Sequence, residues 1–260
     1  MRRRSLLTRE QITAQLTTTL LPLRDVRAFW EGGAAAFGRV DRWSDLDLYI
    51  LTSGRSATLL FSVVESSLRR LSGISKTYEV SSGWEGVEQK FYRLERASPF
   101  LVVDLAILTK RSQEKFLTPE VHGKNIFYID KDGIERKLPP LPHDFERQIA
   151  ARWRRLGERY EMFGNFVDKE LRRGNDLEAM EEYRNIAIGT LVELLRIRYL
   201  PHHYNFRMRY VHYELPVKTL QRLERLTFVK DAADLANKNA RASAWIRALL
   251  MEGPHFERRR

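Results

Sequence analysis

The stretch Phe29–Leu51, FWEGGAAAFGRVDRWSDLDLYIL, sets a glycine pair, a polar loop and two carboxylates between two strand-like segments. Val26, Ala28 and Trp30 alternate as a short buried strand does, and Gly32-Gly33 then lets the backbone turn with no Cβ in the way. Beyond a loop through Gly38 and Ser44 the period of two returns. Leu46, Leu48 and Ile50 fall on one face, and Asp45, Asp47, Tyr49 and Leu51 on the other. Asp45 and Asp47 are therefore expected to point the same way. Two such carboxylates repel each other, and a cation is the usual reason to keep them near a core. Mg²⁺ suits them: it takes one or two carboxylates and fills its octahedron with water and phosphate oxygens, while the Gly-Gly amides can hold another phosphate.

A lone Asp-x-Asp is more often a turn cap followed by an exposed strand residue. This one follows the glycine turn with eleven residues between and has apolar neighbours. A third carboxylate, Asp104, sits inside the apolar run FLVVDLAIL, where an aspartate needs a reason. Arg39 and Arg42, in the loop before Asp45, are candidate phosphate contacts because that loop must lie close to the metal.

Gly-Gly, a spacer of about a dozen residues, Asp-x-Asp with apolar neighbours and a later strand aspartate resemble the DNA polymerase β-like nucleotidyltransferase superfamily over Gly32 to Asp104. Within it, GRVDRWSDLDLYIL is most similar to the aminoglycoside nucleotidyltransferases and their relatives, which carry a helical domain after the catalytic one. Gly33 stands where many members have serine. The resemblance implies Mg²⁺, two ions, and a nucleoside triphosphate, with ATP and AMP transfer to an acceptor hydroxyl favoured. Asp45, Asp47 and Asp104 become the catalytic and metal-binding set, Asp104 as a second-metal ligand or a proton acceptor. Gly32, Gly33 and Ser44 would cradle the β- and γ-phosphates, with Lys90 and Arg93 reaching the triphosphate as basic residues often do in this superfamily.

Composition sets the outer limits. With 260 residues and 43% hydrophobic content the chain suits two modest domains. No apolar run approaches a membrane span and the N-terminus lacks a signal-peptide stretch, so the expected setting is the cytoplasm, with no membrane partner. Cysteine is absent, which excludes disulfides and thiolate metal sites. A formal charge of +11 suggests an anionic partner. The basic residues are nevertheless spread along helices and at both ends, as on solvated faces, so a small-molecule acceptor is favoured over RNA or a protein side chain. An aminoglycoside is polycationic, however, and the basic helical half does not suit it. The alternatives are a non-catalytic or toxin–antitoxin-type nucleotide- or protein-binding member of the same fold and an RNA-directed nucleotidyltransferase.

The order of elements predicts an α+β chain: residues 1–140 as a nucleotidyltransferase domain with a mixed sheet backed by helices, and residues 141–260 as an acceptor-binding helical bundle. A capping box at Thr8 and Gln11 opens a helix that Pro22 ends, and a short helix follows the glycine turn with its N-terminus toward a bound phosphate. A helix over 56–71 takes Gly73 as its C′ residue, and strands are expected over 74–80, 87–94, 100–108 and in NIFYIDKDG. LPPLP at 138–142 marks the boundary. Beyond it one helical stripe runs from Phe145 to an end at Arg173-Gly174, a second from Leu177 through Met180 to Ile197, and two more span 217–226 and 231–251. His202-His203 are read as a surface helix terminus, Glu181-Glu182 as a solvated helix face, and Trp84 and Tyr92 as core aromatics rather than base-stacking ones.

Overall fold

The computed structural model describes residues 5–80, 83–112 and 114–254. The chain divides into two compact units, Met1–Leu141 and Pro142–Arg260. The first unit runs α1 (Arg9–Leu20), β1 (Val26–Glu31), α2 (Gly33–Ala36), β2 (Leu46–Thr52), α3 (Ala57–Leu71), β3 (Ile74–Val80), β4 (Val87–Leu94), β5 (Val102–Leu108), α4 (Pro119–His122) and β6 (Ile126–Asp130). Its six strands form one mixed sheet in the order β3-β4-β5-β2-β1-β6. Among the described strand pairs only the central β2–β5 is parallel, and the intervening α3, β3 and β4 make the crossover it requires.

The capping box of α1 forms as its sequence predicts: Thr8 Oγ1 accepts from Gln11 N–H while the Gln11 side chain accepts from Thr8 N–H. Ile12, Leu16 and Leu20 of this helix pack with Leu60, Val64 and Leu68 of α3 on one face of the sheet, over Leu46, Leu48, Ile50, Val103, Leu105 and Ile107. Gln15 and Thr19 hydrogen-bond the fully buried Ser67 across the helix pair. The opposite face gathers Ala28, Trp30, Leu51, Ala106 and Leu108 under Leu117. Apolar side chains thus lie on both faces of the central strands, which explains the short apolar runs Ala28–Trp30 in β1 and Leu105–Leu108 in β5. Bulges in β1 break the expected alternation, sending Val26 and Phe29 to the helix face and Ala28 and Trp30 to the other. Edge strand β3 is mostly exposed and carries Lys76 and Glu79, charges that discourage pairing with another chain.

Two local expectations change. α3 ends at Ser72 in extended backbone (φ −161°), and Gly73 is not left-handed; a Cβ there would meet the Glu95 carboxylate at 2.4 Å. β5 starts at Val102 rather than at the exposed Phe100.

The second unit contains α5 (Phe145–Phe163), α6 (Phe166–Arg173), α7 (Asp176–Glu182), α8 (Gly189–Tyr199), α9 (Val211–Glu214), α10 (Val217–Thr227) and α11 (Ala232–Glu252) around one apolar core. The single stripe expected from Phe145 to Arg173 is two helices, broken at Gly164-Asn165, where Gly164 N–H still donates to Tyr160 O but the chain turns away. Gly174, at φ +74°, ends α6 as the sequence indicates. Leu177 lies outside the core, and a π-helical segment, Tyr183–Ile188, joins α7 to α8.

His203 overturns its surface assignment. It is buried, its Nδ1 lies 2.9 Å from Glu214 Oε1, and its ring stacks on Phe206 at 4.1 Å. Arg196, with no exposed side chain, donates to Glu214 Oε2 at 2.6 Å and to the carbonyls of Arg207 and Arg209. This network clamps the loop 200–215, in which Arg207 and Tyr210 take positive φ. The sequence hid it because Glu214 is eleven residues from His203.

Candidate active site

Strand pairing brings two of the three predicted aspartates together. Asp47 of β2 and Asp104 of β5 are direct partners in the parallel ladder, both half-buried on the face opposite α1 and α3. Adjacent strands lie about 4.8 Å apart, so the two side chains stand side by side. Gln89 of β4 donates to Asp104 Oδ1 at 2.7 Å and fixes that carboxylate. Tyr49, next on the same face, stacks on Trp30 with centroids 5.4 Å apart.

The glycine pair explains the position of Asp47. Gly33 has φ +54°, and a Cβ on it would lie 1.8 Å from Asp47 Oδ2 and 2.4 Å from its Cγ. A Cβ on Gly32 would lie 2.9 Å from the Tyr49 ring and 3.1 Å from Asn125 Oδ1. Gly32 N–H also donates to Asp47 O at 2.9 Å. The closest approach that the missing side chains permit is therefore an internal one: β2 packs its carboxylate and its tyrosine directly on the turn. Helix α2 behind the turn is a single turn of four residues, a shorter element than a dipole argument needs.

Asp45 sits one residue ahead of β2 and is exposed. Its place is set through the backbone. Arg9, the first residue of α1, donates to the carbonyls of Ser44 (3.0 Å) and Asp45 and to the carboxylate of Glu31 at the end of β1. Glu31 is nearly inaccessible and also accepts from Tyr128 Oη at 2.5 Å. One arginine thus ties the end of β1 to the start of β2, on either side of the glycine turn. Burial, then the hydrogen bond to Glu31, pushes the Tyr128 phenol up from its ordinary pKa. Neither Arg9 nor Glu31 stands out in the sequence, although a glutamate closing the buried run VRAFWE carries the same signal as Asp104.

The other predicted residues divide. Ser44 Oγ donates to Asp41 Oδ1 and accepts from Asp41 N–H, both at 2.9 Å, so its one proton is spent in its own turn. The Asp41 carboxyl is held below its usual range, chiefly by the Trp43 amide and then by Ser44. Arg39 lies over the Phe37 ring (5.0 Å) and Arg42 over the Trp43 ring (4.1 Å), both in the loop leading to Asp45. Lys90 is not brought to the aspartates. It pairs in the ladder with Leu105, whose side chain belongs to the helix-side core, and it bonds Glu65 (3.3 Å) and Glu79 (3.1 Å) on that face. Burial opposes its charge, but those two carboxylates prevail and raise its pKa. Arg93 donates to Pro99 O. Tyr92 is a core residue, as expected, whereas Trp84 is exposed, edge-on to Phe116.

Among the described residues no group of three His, Asp or Glu side chains is gathered to hold one metal ion. The expected trio therefore resolves into a facing pair, Asp47 and Asp104, with Asp45 exposed and two residues ahead of Asp47 in the chain. Two carboxylate oxygens fit the donor set of Mg²⁺, which needs no more than one or two from protein.

No protein-family model and no curated protein sequence matches the chain. Solved structures do resemble it. The chain is similar to an aminoglycoside 6-adenyltransferase from Bacillus subtilis (13% identity, 98% of this chain and 94% of that one, TM-score 0.39). It is also similar to a nucleotidyltransferase-like protein from Exiguobacterium sibiricum (13%, 94% and 75%, TM-score 0.40). A third similar structure is a spectinomycin adenyltransferase from Enterococcus faecialis, solved with ATP and spectinomycin (11%, 92% and 89%, TM-score 0.37). Among the described residues no helix is long and apolar enough to cross a membrane.

Proposed function

We propose that the chain is a Mg²⁺-dependent nucleotidyltransferase that moves a nucleoside monophosphate, AMP from ATP, to the hydroxyl of a small-molecule acceptor. The observation that carries this reading is the register pair Asp47–Asp104, with Asp47 seated on Gly33 at the end of the neighbouring strand. Asp47, with Asp45 two residues ahead of it, would hold the metal on the triphosphate, and Asp104 would stand on the acceptor side. When bound, Mg²⁺ neutralises triphosphate charge and screens what develops at the α-phosphorus. The amides of Gly33 and Ala34, which open α2 and have no intrahelical acceptor, would bond phosphate oxygens, and Arg39 and Arg42 would add charge from the loop. In the transfer the acceptor oxygen forms a bond to the α-phosphorus, the α–β bridging bond breaks, and pyrophosphate leaves. The hydroxyl proton passes to Asp104, which Gln89 orients through its other oxygen.

The test is incubation of purified protein with each α-labelled nucleoside triphosphate, Mg²⁺ and a panel of hydroxyl acceptors. Label transferred to an acceptor with release of pyrophosphate, abolished in Asp47→Asn, supports the reading. Transfer that survives Asp47→Asn and Asp104→Asn together would sink it.

A further inference from the structure

The helical unit contains a groove of about 1330 Å³ that the transfer chemistry does not explain. Arg184, Asn185, Ile186 and Ile188 of the π-helical segment Tyr183–Ile188 line it, and the N–H of the following Gly189 reaches back to Arg184 O. π-helical turns are rare and collect at functional sites. This one places Arg184 on the groove wall, with Arg159 from α5 and Arg207 from the loop 200–215. A fourth arginine, Arg152, is neutralised by Glu193 through two bonds of 2.5 and 2.9 Å. Among the described residues Arg159, Arg184 and Arg207 make no ion pair, and apart from Glu193, which Arg152 holds, one carboxylate, Glu182, lines the groove with them. Apolar rings complete it: Phe163, Tyr204 and Phe228, the last 77% exposed. A largely exposed phenylalanine beside uncompensated arginines is a surface suited to a planar ring bearing negative charge.

We infer that this groove binds the acceptor, and that the acceptor is a small anionic molecule with a planar ring and a phosphate or carboxylate group, not a polycation. The inference rests on the transfer reading for the word acceptor alone. Three arginines around one cavity match one or two anionic groups on a compact ligand. A nucleic-acid strand needs a longer basic track.

The experiment is calorimetry on the full chain in EDTA with four probes: AMP (ring and phosphate), adenosine (ring alone), inorganic phosphate (charge alone) and spectinomycin (polycation). The variants are Arg184→Gln and Arg207→Asn, asparagine being chosen because it tolerates the φ of +52° at that position. AMP is expected to bind more tightly than either fragment, and each variant to weaken it by about tenfold, the effect of one lost charge-assisted bond. Saturable spectinomycin binding that Glu182→Gln abolishes, AMP affinity unchanged in both arginine variants, or an octauridylate bound more than about tenfold tighter than AMP would each overturn the inference. Mg²⁺-ATP titrations of Asp47→Asn run alongside. Lost ATP affinity there with arginine-insensitive AMP binding leaves the transfer reading standing and removes this one; the converse pattern does the reverse.

Discussion

Replacing Gly33 by alanine or serine should displace Asp47, and the structure sets the size of the effect. The new Cβ would fall 1.8 Å from Asp47 Oδ2, 2.4 Å from Cγ and 3.0 Å from Cβ, at a residue with φ +54°. The backbone term alone costs roughly 1–2 kcal/mol for a non-glycine residue in the left-handed region. The clash adds about 1–3 kcal/mol if the carboxylate stays, as overpacking of a filled site does, and little if it rotates away. Rotation saves stability but moves Asp47 out of line with Asp104, so one of the two properties must suffer. Urea unfolding measures the first, and calorimetric titration of Mg²⁺-ATP the second. Repeating the substitution in an Asp47→Ala background separates the terms, because the two closest atoms are gone and only the φ term and the 3.0 Å contact remain. A Gly33→Ala protein within about 0.5 kcal/mol of the parent and with full Mg²⁺-dependent ATP affinity would refute the reasoning. Serine, the residue many members of the resembled family carry here, is expected to fail for the same reason in this chain.

Asp104→Asn should keep most ATP affinity while transfer falls by ~10²–10⁴-fold, as loss of a proton acceptor does; equal loss of affinity in Asp104→Asn and Asp47→Asn would place both in one primary metal site. Arg9→Met leaves Glu31 buried without its cation and should cost about 3–5 kcal/mol in urea unfolding, with Arg9→Met/Glu31→Gln recovering part of it; a neutral single variant would show that the ion pair does not hold the turn. Glu214→Gln strands the Arg196 guanidinium in the helical core and should likewise cost about 3–5 kcal/mol, checked by the urea midpoint of the second unit; an unchanged midpoint would contradict the buried pairing.

The elements of the first unit were legible because their signals are local. A capping box, an apolar stripe at helical spacing and a run of alternating residues each lie within one segment, and α1, α3, β3, β4 and β6 appear where those patterns put them. Helix breaks in the second unit were harder. Gly164 interrupts a stripe whose periodicity barely changes, and the π-helical turn at Tyr183–Ile188 leaves the apolar spacing of a continuous helix almost intact. In both places the deviation depends on what the neighbouring helices demand, which no window of sequence contains.

The candidate site divides along the same line. Asp47 and Asp104 were visible as carboxylates in apolar surroundings, whereas the parallel register that pairs them is set by the order of the strands in the sheet. Lys90 was misplaced because a strand side chain is assigned to a face only by register, and a shift of one residue exchanges the faces. Ser44 has a part the sequence did not show: a hydroxyl has one proton, and in this structure the turn at Asp41 takes it. Arg9 and Glu31 escaped notice because their meaning is relational. A salt bridge between residues 9 and 31 has no sequence signature, yet it decides where the chain on both sides of the glycine turn can lie. The two carboxylates could therefore be picked out from composition and pattern, whereas the groups that fix their positions come from the packing of α1, β1 and β2 around them.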